Sequence, residues 1–155
     1  MVENAHCPRR KQIRLDAPAY AVPGTVFHVT VCCRDHAPLL SDVDTARVIR
    51  ETLMSGDFAG RWDLYAFAIM PDHVHLLIGV SEWNLVRAIA AWKSQTTRRL
   101  WARGHSGSVW QRSFHDHGLR QQESAKDVAE YIVANPERAG LPERTQFVWH
   151  RWMAP

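Results

Sequence analysis

The sequence has little cysteine, and what it has is poorly placed for cross-links. Cys7, Cys32 and Cys33 are odd in number, two are adjacent, and no Cys-x-x-Cys occurs. On a strand, adjacent side chains project to opposite faces, so Cys32 and Cys33 cannot easily share a metal. Neither a disulfide framework nor a zinc-finger spacing is expected, and a reducing, cytoplasmic setting is. Long hydrophobic runs are also missing. No stretch of about 18 apolar residues is present to cross a membrane. Residues 1–10 are polar and basic with no apolar segment behind them, which argues against a secretory leader. Repeats, low-complexity tracts and long linkers are lacking as well.

What is there suits an ordinary folded domain. The chain has 155 residues, 46% hydrophobic and 23% charged, enough for one modest core. A single domain is expected, with residues 1–24 as a basic arm and opening loop and residues 25–150 as the core. The formal net charge of +3 permits a nucleic-acid partner without requiring one. Its placement says more. Arg9, Arg10, Lys11 and Arg14 crowd the arm, and Lys93, Arg98, Arg99 and Arg103 crowd one expected helix. Seven tryptophans suit core packing or base stacking.

The periodicities give an element order. Phe27, Val29, Val31 and Cys33 alternate with His28, Thr30 and Cys32, a strand with one buried face. Asp42 or Asp44 can cap a helix carrying Val48, Ile49, Leu53 and Met54. Residues 63–69 and 73–80 read as two strands broken at Pro71-Asp72, antiparallel neighbours with the second central. A long helix follows, with Leu85, Ile89, Trp92 and Leu100 inward and its basic residues outward. Residues 109–119 read as a fourth extended segment. Ser124 caps a helix with Val128, Tyr131 and Ile132 as apolar positions, ended by Asn135-Pro136. The order β-α-β-β-α-β-α predicts an α+β fold, a ferredoxin-like sandwich with an antiparallel sheet and an added C-terminal helix.

Two short patterns carry chemistry. His73 and His75 stand two apart on a strand, so their imidazoles share a face roughly 6.6–7 Å apart along the chain. They can converge on one ion, although such a pair also suits a solvated sheet face. Tyr131 and Asn135 stand four apart on a helix and share a face. An amide oxygen is a hard ligand acceptable to Mg²⁺ or Mn²⁺. A rim tyrosine and a helix-ending asparagine are the plainer alternatives.

Longer stretches carry a resemblance. Met70-Pro71-Asp72-His73-Val74-His75-Leu76-Leu77-Ile78 resembles the core of the HUH single-strand endonucleases, where U is a hydrophobic residue. Val109-Trp110-Gln111-Arg112-Ser113-Phe114-His115-Asp116-His117-Gly118-Leu119-Arg120 is similar to the tryptophan–glutamine motif of the REP-associated tyrosine transposases. Tyr131-Ile132-Val133-Ala134-Asn135-Pro136-Glu137-Arg138-Ala139-Gly140-Leu141 resembles their YIxxNPxxAGL segment. They stand in the family's order, and the resemblance as a whole covers roughly residues 23–150.

The resemblance implies an HUH single-tyrosine transposase. His73 and His75 would be metal ligands, Asn135 the third ligand and Tyr131 the nucleophile. It implies attack on single-stranded or hairpin DNA, a 5′-phosphotyrosine intermediate, and rejoining without ATP. The expected cofactor is Mg²⁺ or Mn²⁺; the expected protein is a monomer or homodimer with no membrane partner. Phosphate contacts are expected from the arm, the basic helix and Arg120, with His115 and His117 as further candidates. Two other classes stay open: a non-catalytic nucleic-acid-binding module on the same scaffold, and a structural zinc protein using Cys32 or Cys33.

Overall fold

Alternation in the sequence becomes two differently covered faces of one sheet. The computed structural model describes residues 17–155, so Arg9, Arg10, Lys11 and Arg14 lie outside the described residues. Strand β1 (Val26–Cys32) is followed by helix α1 (Val43–Met54) and the hairpin of β2 (Trp62–Ile69) and β3 (His73–Val80). Helix α2 (Leu85–Trp101), strand β4 (His115–Gly118), helices α3 (Ala125–Val133) and α4 (Asn135–Arg138) and strand β5 (Val148–His150) complete the order. The five strands run β4-β1-β3-β2-β5, each pair antiparallel. The first four give the expected ferredoxin-like α+β sandwich, with β5 added beside β2 and β3 at the centre.

One face holds the main core. Phe27, Val29 and Val31 of β1, Phe67 and Ile69 of β2, and Val74, Leu76 and Ile78 of β3 pack there against α1 and α2. Trp92 of α2 is wholly buried and lies 5.0 Å from the Trp110 ring. The caps are as the sequence suggests. Asp42 accepts from the Thr45 amide at 2.9 Å, and Ser124 from that of Asp127 at 3.3 Å. Asn84 caps α2 by accepting from the Arg87 amide at 2.8 Å.

The other face is smaller. Ala66 and Ala68 of β2 and Leu77 of β3 meet Ala129 and Ile132 of α3. A bulge places Tyr65 as an extra residue between Leu64, opposite Ile78, and Ala66, opposite Leu77. Tyr65 and Ala66 therefore both belong to the α3 side, while Leu64 and Phe67 pack on the main core. The Tyr65 ring covers Gly79, where an added Cβ would meet it at 3.0 Å.

Four points differ from expectation. Of the fourth extended segment only His115–Gly118 pairs as a strand. Before it, Trp110 turns inward and donates to Thr96 Oγ1 at 2.9 Å, so tertiary packing overrides the strand. Pro136 does not end the helical path; α3 closes at Val133 and Pro136 opens α4, where a missing amide costs nothing. Strand β5 was not foreseen, being too short to show a period. Tyr131 and Met54, read as apolar helix positions, are instead exposed at 50% and 45%.

Candidate active site

The alternation that sends Val74, Leu76 and Ile78 into the main core sends His73 and His75 to the opposite side. The β1–β3 register sets Thr30 across from His75, and His28 shares that face. The result is a chain of polar contacts. His73 Nε2 lies 3.1 Å from His75 Nε2. His75 Nδ1 lies 3.1 Å from His28 Nε2 and 3.3 Å from Thr30 Oγ1. His73 Nδ1 lies 2.6 Å from the buried carboxylate of Asp72. Asp72 sits at the hairpin turn, tied to β1 by Cys33 N–H donating to its carbonyl at 2.8 Å. Each imidazole is thus held from behind through Nδ1, with Nε2 facing its partner.

Burial, followed by the charges of His73, His28 and Arg138, holds the His75 pKa well below the usual imidazole range. Burial and then His117 bring that of His28 down to about 4. Both rings stay neutral at pH 7, the form a metal ligand must have. The unfolded chain therefore binds more protons than the folded one between about pH 4 and the ordinary histidine value of 6.5. Metal-free protein should lose stability as the pH falls through that window, and His28→Gln should lose less. Thermal melts at pH 7, 6 and 5 check this; parallel curves for the two proteins would refute it.

The helical side of the site comes from α3 and α4. Two alanines on β2 let α3 lie close to the sheet, with Ile132 inward. Tyr131, one residue earlier, points to a cleft of about 420 Å³ shared with His28, His117, Asp127 and Val128. The phenol therefore lies on the same side of the sheet as the histidines. Asn135 donates from Nδ2 to the Ile132 carbonyl at 3.0 Å and accepts at Oδ1 from Arg138 Nη2 at 2.7 Å. A guanidinium only donates, so the amide oxygen must be the atom that faces it. The Arg138 Cζ also sits 3.6 Å from the centroid of the Tyr131 ring.

The donor set suits one divalent cation. Two ligands at about 2.0–2.1 Å and a right angle stand roughly 3 Å apart, close to the 3.1 Å between the Nε2 atoms. Among the described residues, no group of three or more His, Cys, Asp or Glu side chains is arranged around one point. The remaining ligands would be neutral oxygens, as Asn135 could supply. Cys33 belongs to the main core, its thiol pushed up to about 12 by burial and by Asp72, and is no partner for the histidines. Asp72→Asn should weaken Mn²⁺ binding to the DNA-free protein by about 10–100-fold, because it removes the group that orients the His73 ring. Titration calorimetry gives the answer, and an unchanged affinity would remove Asp72 from the site.

The other expected residues are scattered. His117 is half exposed and pairs with Glu123 at 3.0 Å; His115 lies across from Thr30 on β4. Arg120 is exposed just before α3. The basic residues of α2 lie in the opposite layer, since α2 packs on the main core. Lys93 donates to the Gln111 and Ser113 carbonyls, Arg99 to Thr52 Oγ1 and Asp57, and Arg98 to Ser94 Oγ. Arg98 is exposed, as is Arg103, which lies past the end of α2 at Trp101 and not on the helix as expected. Sequence reasoning gave no role to His28, Thr30, Asp72 or Arg138. Asp72 and Arg138 stood inside quoted motifs, whereas His28 and Thr30 needed the strand register.

A ferredoxin-like sheet presenting an HUH histidine pair beneath a tyrosine-bearing helix defines the HUH single-tyrosine class. The profile of the family described as Transposase IS200 like matches residues 21–135, and the chain belongs to that family. A Haemophilus influenzae protein with the provisional name REP-associated tyrosine transposase is 31% identical over 94 residues, covering 53% of each chain. An uncharacterised Haemophilus influenzae protein is 29% identical across 86% of this chain and 91% of its own. A REP-associated tyrosine transposase solved bound to a REP hairpin shares the fold, with a TM-score of 0.66 and 20% identity. That match covers 86% of this chain and 77% of the other. No helix among the described residues is long and apolar enough to cross a membrane.

Proposed function

We propose that the chain cuts and rejoins single-stranded or hairpin DNA, with Tyr131 as nucleophile and His73, His75 and Asn135 as ligands of Mg²⁺ or Mn²⁺. The observation that carries this reading is the single guanidinium of Arg138, which contacts Tyr131 and Asn135 and whose charge reaches His75. This supports a reading in which the sheet half and the helix half of the site act together.

The reaction balances without an outside energy source. Tyr131 Oη forms a bond to phosphorus as the bond to the 3′-oxygen breaks. The phenol loses a proton, and the departing 3′-oxygen takes one up. A 5′-phosphotyrosine and a 3′-hydroxyl result, and reversal with another 3′-hydroxyl joins strands. A free phenol is mostly protonated at neutral pH, so attack needs an electrophilic phosphate. A bound divalent cation supplies that by withdrawing charge from the phosphate oxygens. The chain's part is to hold the phenol in line, to keep both imidazoles aimed, and to keep that of His75 neutral.

Phosphates of the rest of the strand would meet Arg120 near the cleft. The arm residues Arg9, Arg10, Lys11 and Arg14 are proposed for the same role. On the far side of the sheet, Lys93, Arg98, Arg112 and Trp101 border a groove of about 570 Å³. Arg98 there, and the exposed Arg103 past the end of α2, can contact a flanking duplex, while Lys93 and Arg99 serve first to hold the fold. The test is incubation with end-labelled hairpin DNA and Mg²⁺ or Mn²⁺, followed by a denaturing gel. A covalent adduct that EDTA prevents is expected. Binding with no adduct under either metal would leave a binding module on the same fold.

A further inference from the structure

Arg138 uses its guanidinium in an unusual way. It is half-buried, stacked over the Tyr131 ring, and donates from Nη2 to Asn135 Oδ1 at 2.7 Å. Its Nε is enclosed yet has no hydrogen-bond partner. A buried N–H without a partner is unfavourable and rare in a settled arrangement. The group is planar and carries five donors in a fork that matches two oxygens of a phosphate. No carboxylate among the described residues forms an ion pair with it within the distances found here. So a cation with a donor to spare stands between the proposed nucleophile and the proposed amide ligand.

We propose that Arg138 is the receptor for the scissile phosphate, held in DNA-free protein as a latch across Tyr131 and Asn135. This rests on the reading of Tyr131 as nucleophile. Non-bridging phosphate oxygens are better acceptors for a guanidinium than an aromatic face or a neutral amide. When the strand enters, Arg138 turns from the ring and the amide to the phosphate. Its Nε gains an acceptor. The phenol and the Asn135 oxygen are released in the same movement, so the site is completed only when DNA is present. A purely structural Arg138, stapling α4 to α3, would keep its contacts whether or not DNA is bound.

The two cases separate by fluorine NMR. The chain has three tyrosines, so 3-fluorotyrosine protein gives few signals, and Tyr131→Phe assigns the one that matters. A hairpin oligonucleotide with a single-stranded flank is added in EDTA, where no cutting occurs. In wild type the Tyr131 signal should move to the position it holds in DNA-free Arg138→Gln. In Arg138→Gln it should stay where it is. With Mg²⁺ added, Arg138→Gln should form adduct about 10²–10³-fold more slowly, the usual effect of losing one donor to transition-state charge. Arg138→Lys, which keeps the charge but not the fork, should recover part of that loss. A wild type that binds and cuts DNA with an unmoved Tyr131 signal overturns the latch and leaves the nuclease reading intact. So does an Arg138→Gln protein with wild-type adduct kinetics. A wild type that forms no adduct overturns both.

Discussion

Tyr131→Phe should bind hairpin DNA as the unaltered protein does and form no covalent adduct, a loss of at least about 10³-fold in strand cutting. The size follows from losing the proposed nucleophile itself, since removing such a group leaves only the help of binding and charge. The change is a clean one. The side chain is 50% exposed, so the fold should barely notice. The ring that Arg138 covers is retained. No other tyrosine stands ready to replace it. Tyr20 is buried and donates to Asp116 at 3.1 Å. Tyr65 lies under Arg151 and beside Trp152. Labelled DNA on a denaturing gel reads the result. Adduct persisting in the variant would show that another residue attacks.

Arg144→Met should have the largest effect on stability, a loss of about 2–4 kcal/mol. Arg144 is only 5% exposed. Its Nε donates to the Ile69 carbonyl at 3.1 Å and its Nη2 to the Leu40 carbonyl at 2.7 Å. Methionine fills much of the space but satisfies neither carbonyl, and each buried orphan costs about 1–3 kcal/mol. Relief from burying a cation offsets part of this. In a domain of this size, 1 kcal/mol shifts Tm by roughly 2–4 °C, so the midpoint should fall by about 5–15 °C. Calorimetry decides, and a shift under a degree would mean that the carbonyls find other donors. Ile69 closes β2 just before the turn that carries Asp72 and His73. Loosening it should therefore weaken Mn²⁺ binding even where the protein remains folded.

Much of this architecture is legible in the sequence because the patterns are long. Residues 73–80 are apolar densely enough to identify a central strand, and two-residue spacing places His73 beside His75. Four-residue spacing hints that Tyr131 and Asn135 lie close, and both touch Arg138, although they stand on successive helices. What does not show is anything that depends on the pairing of strands far apart in the sequence. His28 and Thr30 join the site only through the β1–β3 register. Arg138 joins because Pro136 opens a new helical turn rather than closing the old one. The basic face of α2 reads as a charge cluster in the sequence, but no periodicity can tell which layer of the sandwich it covers. Three residues of β5 are too few to signal a strand.

The bulge at Tyr65 has a consequence for how close the tyrosine-bearing helix can come. Were Tyr65 to take an ordinary place opposite Leu77, every later residue of β2 would turn over. Phe67 would then present its ring to α3, and the two alanines would fall on the wrong side. The helix would be lifted by the thickness of an aromatic ring, and the phenol with it. Removing Tyr65 outright leaves Leu64 and Ala66 in regular alternation, whereas inserting one residue between Ala66 and Phe67 should do more harm to the chemistry than most substitutions along the strand.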